Sequence, residues 1–253
     1  MDRQVVEQQD PGLRAALGRN LSRVRERMAR AVARAGGNAR EPLLLAVTKS
    51  VGAPVAVALA ALGQRDLAEN RVADLAAKQA ALTSAGLSPA LHLIGHLQRN
   101  KARAFLKTGA LLQSLDSERL AEELEAILEK RGAAPIPALA EVNIAREPQK
   151  GGLSEEELPD FLARRKDRGR VAVRGLMCMA PEADAGERSR PHFARLRALR
   201  DRLRGAFPDL LELSMGMSQD YEAGIAEGST IVRIGRALFE GLPVAAGAPP
   251  RLA

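Results

Sequence analysis

The sequence predicts an α/β fold: a closed (β/α)8 TIM barrel of parallel strands, with one extra helix ahead of the first strand. Three observations carry this. Eight short apolar runs alternate with amphipathic stretches along 253 residues, and that count favours a barrel over an open sheet. The connections between them are short. No Pro/Gly/Ser-rich linker divides the chain, so 1–253 is expected to be a single domain, with an ordered core over about 13–241 and loose ends.

Leu13, Leu17, Leu21, Val24, Met28 and Val32 recur at spacings of three and four, which predicts an amphipathic helix over 13–35 closed by Gly36-Gly37. The octapeptide Leu43 to Ser50 is an unbroken apolar run with a lysine where it stops, bounded by Pro42 and by Gly52 and Pro54. A run of that length suits a strand buried on both faces of a parallel sheet. Pro54 then opens a helix over 55–62 that Gly63 stops. The alternation continues with strands over 66–69, 91–94, 111–115, 136–143, 171–177, 210–215 and 230–234. Helices are expected between them over 71–82, 98–107, 117–131, 154–167, 187–205 and 218–227.

Composition narrows the function classes. The net charge of +7 and pI near 10.1 invite a nucleic-acid reading, since clustered basic residues neutralise phosphates. Around the helix over 187–205, however, Phe193, Leu196, Leu199, Leu203 and Phe207 hold one face while the arginines hold the other, the pattern of a solvated face. Aromatics are 2% of the chain, so base-stacking platforms are nearly absent. The single cysteine, Cys178, excludes an internal disulfide and a cysteine-based zinc cluster; it reads as a small buried hydrophobe. Nothing near Met1 resembles a signal peptide and no run approaches membrane-spanning length, so a cytoplasmic protein without membrane contact is expected.

In a barrel of this kind, the residues just past the end of each strand build the active face. That places Lys49, Glu69, Asn70, Gly95, His96, Asp116, Asn143, the segment 177–179, the segment 214–218 and the segment 233–236 together. Two readings stand for Lys49, flanked by Thr48 and Ser50: on this stretch alone a solvated loop lysine is favoured, while partial desolvation at the strand tip would make its amine a nucleophile toward an aldehyde. Ser214-Met215-Gly216-Met217-Ser218 reads as a small-residue turn opening a helix, and Arg233-Ile234-Gly235-Arg236 as a strand ending in glycine. Backbone N–H groups and a hydroxyl after the last two strands complement a dianion, although ordinary helix capping would give the same turn. In a closed barrel the first and last strands are neighbours, so the lysine and the anion cradle together fit an aldehyde bearing a phosphate, such as pyridoxal 5'-phosphate (PLP). His92 and His96 are four apart, but a strand ending at Gly95 would point the rings differently, and no metal site is expected.

At these residues the chain resembles the pyridoxal phosphate homeostasis proteins. The likeness lies in Ala46-Val47-Thr48-Lys49, Glu69-Asn70, His92 to Lys101, Leu115-Asp116-Ser117, Val142-Asn143-Ile144, Gly175-Leu176-Met177 and the two C-terminal motifs, collinear over roughly 20–241. It implies a fold-type III PLP barrel similar to the N-terminal domain of alanine racemase, without the racemase's second β-domain. Lys49 is implied as the Schiff-base lysine. Ser218, Gly235 and Arg236 would hold the phosphate, Arg233 would face the pyridine nitrogen, and Asn70, Met177 and Ser214 would line the pocket near the ring. The chain departs from the family at Leu67-Ala68-Glu69-Asn70-Arg71, where an expected tyrosine is Arg71, and at Arg236-Ala237-Leu238, where hydroxyls are lost.

The resemblance implies a PLP carrier or regulator in vitamin B6 homeostasis, acting as a monomer with PLP-dependent apo-enzymes as recipients, and with no catalytic residue assigned. The rival is a racemase of alanine racemase type. Racemisation wants a base on each face of the substrate, and the only tyrosine is Tyr221. An arginine at the pyridine nitrogen also leaves the ring a weak electron sink.

Overall fold

A computed structural model of the chain describes residues 11–36 and 40–242. The loose ends expected before residue 13 and after Gly241 therefore lie largely outside the described residues, although the first helix already begins at Pro11. That helix, α1 (Pro11–Ala35), precedes β1 (Leu43–Val47), α2 (Ala53–Ala61), β2 (Asp66–Glu69), α3 (Val72–Ser84) and β3 (Ala90–Leu93). Next come α4 (Ala102–Leu106), β4 (Leu111–Leu115), α5 (Glu118–Lys130), β5 (Ile136–Glu141), α6 (Leu158–Arg168) and β6 (Val171–Met177). The chain closes with α7 (Arg190–Leu203), β7 (Glu212–Met217), α8 (Tyr221–Ala226) and β8 (Ile231–Ile234).

The eight strands form a closed barrel in sequence order, and β8 returns to pair in parallel with β1 through Leu44↔Val232 and Ala46↔Ile234. Side chains alternate across the wall, as the strand period requires. Leu45, Val47, Ala68, Leu139, Met177 and Ile231 fill the barrel interior, while Leu44, Ala46 and Val232 face outward onto α1, α2 and α8. The long helix α1 buries Leu17, Leu21, Val24 and Met28. Its Asn20 donates to the Leu238 and Glu240 carbonyls at 3.1 and 2.9 Å, tying the turn after β8 to the outside of the barrel.

Several boundaries differ from expectation, each for a local reason. The helix expected over 98–107 is a 3-10 turn (Arg99–Lys101) followed by the single turn of α4. The one expected from 154 starts at Leu158, because Ser154 and Glu157 cap each other: the Glu157 N–H donates to Ser154 Oγ at 3.1 Å, and the Ser154 N–H to Glu157 Oε2 at 2.9 Å. β5 stops at Glu141 rather than 143, since Asn143 accepts from the Glu147 N–H and donates to the Glu147 and Lys150 carbonyls, shaping the next loop. β7 extends to Met217, two residues beyond its expected end.

Candidate functional site

The eight predicted site residues belong to five strands or the turns directly after them; Ser214 lies within β7, level with the first residue of β8, and the others stand nearer the carboxyl end of the barrel. Lys49 occupies the turn directly after β1. There Lys49 is exposed, the solvated loop lysine of the two readings, two residues past the end of β1 at Val47. Its neighbours are as anticipated. On the β8 side, an added Cβ at Gly235 would lie 3.0 Å from the Val47 carbonyl oxygen, so only glycine permits this approach without a shift. On the β2 side, the Thr48 N–H donates to the Ala68 carbonyl at 2.9 Å, which puts half-buried Asn70 next to the lysine turn.

The two C-terminal motifs do meet. Ser218 Oγ accepts from the Ala237 N–H at 3.4 Å, joining the turn after β7 to the 3-10 turn Arg236–Leu238 after β8. Arg236 is exposed at this rim and Ser218 is half-buried. The reading of 214–218 as one turn needs correction: Ser214 to Met217 belong to β7, and Gly216 holds φ +97° within it. The turn proper is 218–220, where Asp220 Oδ1 accepts from the Met217 N–H at 2.5 Å. Burial pushes the Asp220 carboxyl above its ordinary range, with the Arg233 and Arg236 charges pulling it back.

Arg233 is buried in the centre of the mouth. Its Nη1 donates to the Ser214 carbonyl and to Ser214 Oγ, both at 2.7 Å, and its Nη2 donates to the Cys178 carbonyl at 2.7 Å. These account for three of the five guanidinium N–H groups. Burial lowers its pKa below the usual arginine value. Ser214 is likewise buried, and Met177 packs in the barrel interior, so both sit beneath the mouth as a floor. Cys178 has no solvent exposure and burial pushes its thiol up to about 12, which makes it the inert hydrophobe that its setting suggested.

Three features were not legible in the sequence. Glu141, at the end of β5, carries a carboxyl that burial and the Asp116 charge raise to about 7, against the pull of Arg233 and His96. Glu69, expected on the active face, instead turns behind the wall to Lys78 of α3. A directed polar chain also crosses the barrel. From Arg233 it passes to Ser214, whose hydroxyl donates to Gln113 Oε1 at 2.6 Å; Gln113 Nε2 reaches His92 Nδ1 at 3.1 Å; and His92 Nε2 reaches Asp66 at 3.2 Å. His92 thus belongs to the interior, while His96 stands at the mouth with Asp116, 2.6 Å away. Their contacts are separate, as the strand geometry required. Among the described residues no cluster of His, Cys, Asp and Glu is arranged to hold a metal.

A model of the family described as alanine racemase, N-terminal domain, matches residues 19–243. The pyridoxal phosphate homeostasis protein of Aquifex aeolicus is 39% identical over 220 residues, covering 87% of this chain and 95% of its own length. The chain belongs to the pyridoxal phosphate homeostasis protein family. The family's member from Pseudomonas aeruginosa is 37% identical over 229 residues, with 89% and 95% covered. Among solved structures, PipY of Synechococcus elongatus with PLP bound superposes with a TM-score of 0.75 at 32% identity, over 88% of this chain and 99% of that one. In this chain the carboxyl ends of β1, β7 and β8 bring together the turn that carries Lys49, the buried Arg233 and the rim at Gly235.

Proposed function

We propose that this chain binds PLP at the β1–β8 mouth and serves intracellular PLP homeostasis, holding the cofactor as a Schiff base on Lys49. One observation carries the reading: Lys49 follows β1 and Gly235 and Arg236 follow β8, neighbouring parallel strands of a closed barrel on which Gly235 closes against Val47, with Arg233 of β8 buried. The residues fit the group chemically. Ser218, Arg236 and the backbone at Gly235 offer donors and positive charge to a phosphate, and Arg233 offers N–H donors to a ring nitrogen. Asn70 would sit beside the ring, above Met177 and Ser214. Linkage would follow from condensation of the Lys49 amine with the aldehyde, releasing one water.

The PLP-bound homologue PipY supports this reading, as do the names that the relatives carry. A holding role is favoured over racemisation by the position of Tyr221. Its ring is buried against α1 under the Arg27 guanidinium, 5.5 Å from the ring centroid. The only tyrosine therefore faces the outside of the barrel and supplies no second base at the mouth.

Nucleic-acid binding is disfavoured by pairing on α7, where Arg190 and Arg197 both bind Glu227 and Arg195 binds Glu155. No helix among the described residues is long and apolar enough to cross a membrane. We read the protein as one cytoplasmic domain that acts as a monomer and passes PLP to PLP-dependent apo-enzymes.

The test is spectroscopic. Purified protein mixed with PLP should show an imine absorbance band near the visible edge that borohydride abolishes, with the phosphopyridoxyl group mapped to Lys49. Lys49→Ala should fold normally and lose the band. Label on another lysine would overturn the assignment, and rapid alanine racemisation would favour the enzyme.

A further inference from the structure

Behind the Lys49 turn lies a buried ionic cluster that stability alone does not explain. Glu69 is 2% exposed, Lys78 7% and Thr48 0%. Lys78 Nζ is bonded to Glu69 Oε1 and donates to the Thr48 carbonyl at 2.7 Å. The Thr48 hydroxyl donates to the same Glu69 oxygen at 2.5 Å. The Thr48 N–H is held by Ala68, and its carbonyl also accepts from the Val51 N–H at 3.0 Å. Every polar atom of the residue before Lys49 is therefore tied down, mostly to β2 and α3. Glu69 Oε2 has no hydrogen-bond partner among the described residues.

A buried ion pair costs more desolvation than a well-packed apolar pair of similar volume, so its energetic return is small. What it does supply is geometry. The peptide unit is planar, so a fixed Thr48 carbonyl fixes the plane from which Lys49 departs. The cluster also settles which lysine can react. The Lys78 ammonium is sequestered between two oxygens behind the wall, whereas Lys49 stands exposed at the mouth.

We propose that Glu69 and Lys78 are positioning residues for Lys49, clamping Thr48 so that the lysine meets the cofactor aldehyde in one orientation. The inference rests on Lys49 being the attachment point. Misplacement of a reacting group by about 1 Å costs on the order of a hundredfold in rate, so loosening the clamp should be visible.

The experiment uses the full chain and the double variant Glu69→Met/Lys78→Met, which removes both buried charges and avoids stranding one. Thr48→Val, which removes only the hydroxyl tie, accompanies it. Arg165→Met is the control, because it breaks a different buried ionic cluster, with Glu118 and Glu125, between α5 and α6. Melting temperature, PLP affinity and the rate of imine formation are measured for each. The double variant should keep a near-parental melting temperature while forming the imine at least about tenfold more slowly; Thr48→Val should shift in the same direction by less. Arg165→Met should melt lower yet bind and react as the parent does.

Parental rates and affinity in a folded double variant overturn the proposal. If the double variant does not fold, parental behaviour of Thr48→Val overturns it instead. An equal loss in Arg165→Met also overturns it, by showing that general destabilisation is responsible. Peptide mapping of the reduced parent separates the two levels: label away from Lys49 sinks the attachment reading and this one with it, whereas label on Lys49 with unaffected variants sinks the clamp alone.

Discussion

Glu141 shows how a single carboxyl at the mouth affects the whole chain. Its ordinary value of 4.5 is raised to about 7, chiefly by burial and secondarily by Asp116. The unfolded chain gives up this proton near pH 4.5, while the folded protein keeps it to about pH 7. Between those values the native state binds more protons, so the contribution of this group to stability falls as pH rises, and the deficit is constant above the window. At about 1.4 kcal/mol for each tenfold change in proton affinity, the deficit reaches about 3 kcal/mol. Glu141→Gln should therefore be more stable than the parent at about pH 8, by up to that amount, and equal to it at about pH 4; urea titrations at both pH values measure the difference. No sequence signal marked Glu141, because the expected strand ran on to 143 and left it inside the strand, short of the residues that build the active face. The resemblance singled out Arg233 as a site residue, but its surroundings were not legible in the sequence. The carbonyls of Ser214 and Cys178 aim at its guanidinium, so Arg233→Glu, which would deepen the electron sink of a bound ring, would also set a carboxylate against two acceptors. Arg233→Gln keeps donors there and is the better probe of cofactor affinity, which should fall in a PLP titration.

At the scale of elements, apolar runs located all eight strands, and misjudgements concentrated where glycine or capping residues sit. β7 is the instructive case. Gly216 and Ser218 read as a turn opening a helix, yet the strand runs through Gly216 at φ +97°. That conformation brings Gly216 against the start of α8, where an added Cβ would lie 2.8 Å from Tyr221 Cα. Neither the positive φ nor the close approach is visible from composition, since glycine serves turns and tight packing alike. Gly216→Ala must strain the backbone and push a main-chain atom aside. It should cost about 1–3 kcal/mol from the backbone conformation alone, read as a lowered urea midpoint. A neutral result would mean that β7 can bend there without glycine.

The barrel as a whole was legible because alternation of element types restricts topology before any contact is known. The polar chain through its interior was not legible, because Asp66, His92, Gln113, Ser214 and Arg233 come from five different strands and meet only when the sheet closes. Gln113 is the centre of that chain, fully buried, accepting from Ser214 and donating to His92. Gln113→Leu preserves much of the volume but leaves the Ser214 hydroxyl without its acceptor and His92 Nδ1 without its donor. Unpaired buried polar groups cost about 1–3 kcal/mol each, so the variant should lose about 2–6 kcal/mol, with its urea midpoint lowered and its m-value unchanged. A double-mutant cycle decides whether the chain acts as a unit. His92→Leu alone strands Gln113 Nε2 and Asp66; combined with Gln113→Leu it removes one of the stranded groups that each single variant creates. The double variant should then cost less than the sum of the singles by about 0.5–3 kcal/mol. Simple additivity would show that the interior bonds are independent contacts, and that Arg233 is held at the mouth by the Ser214 and Cys178 carbonyls without support from the far side of the barrel.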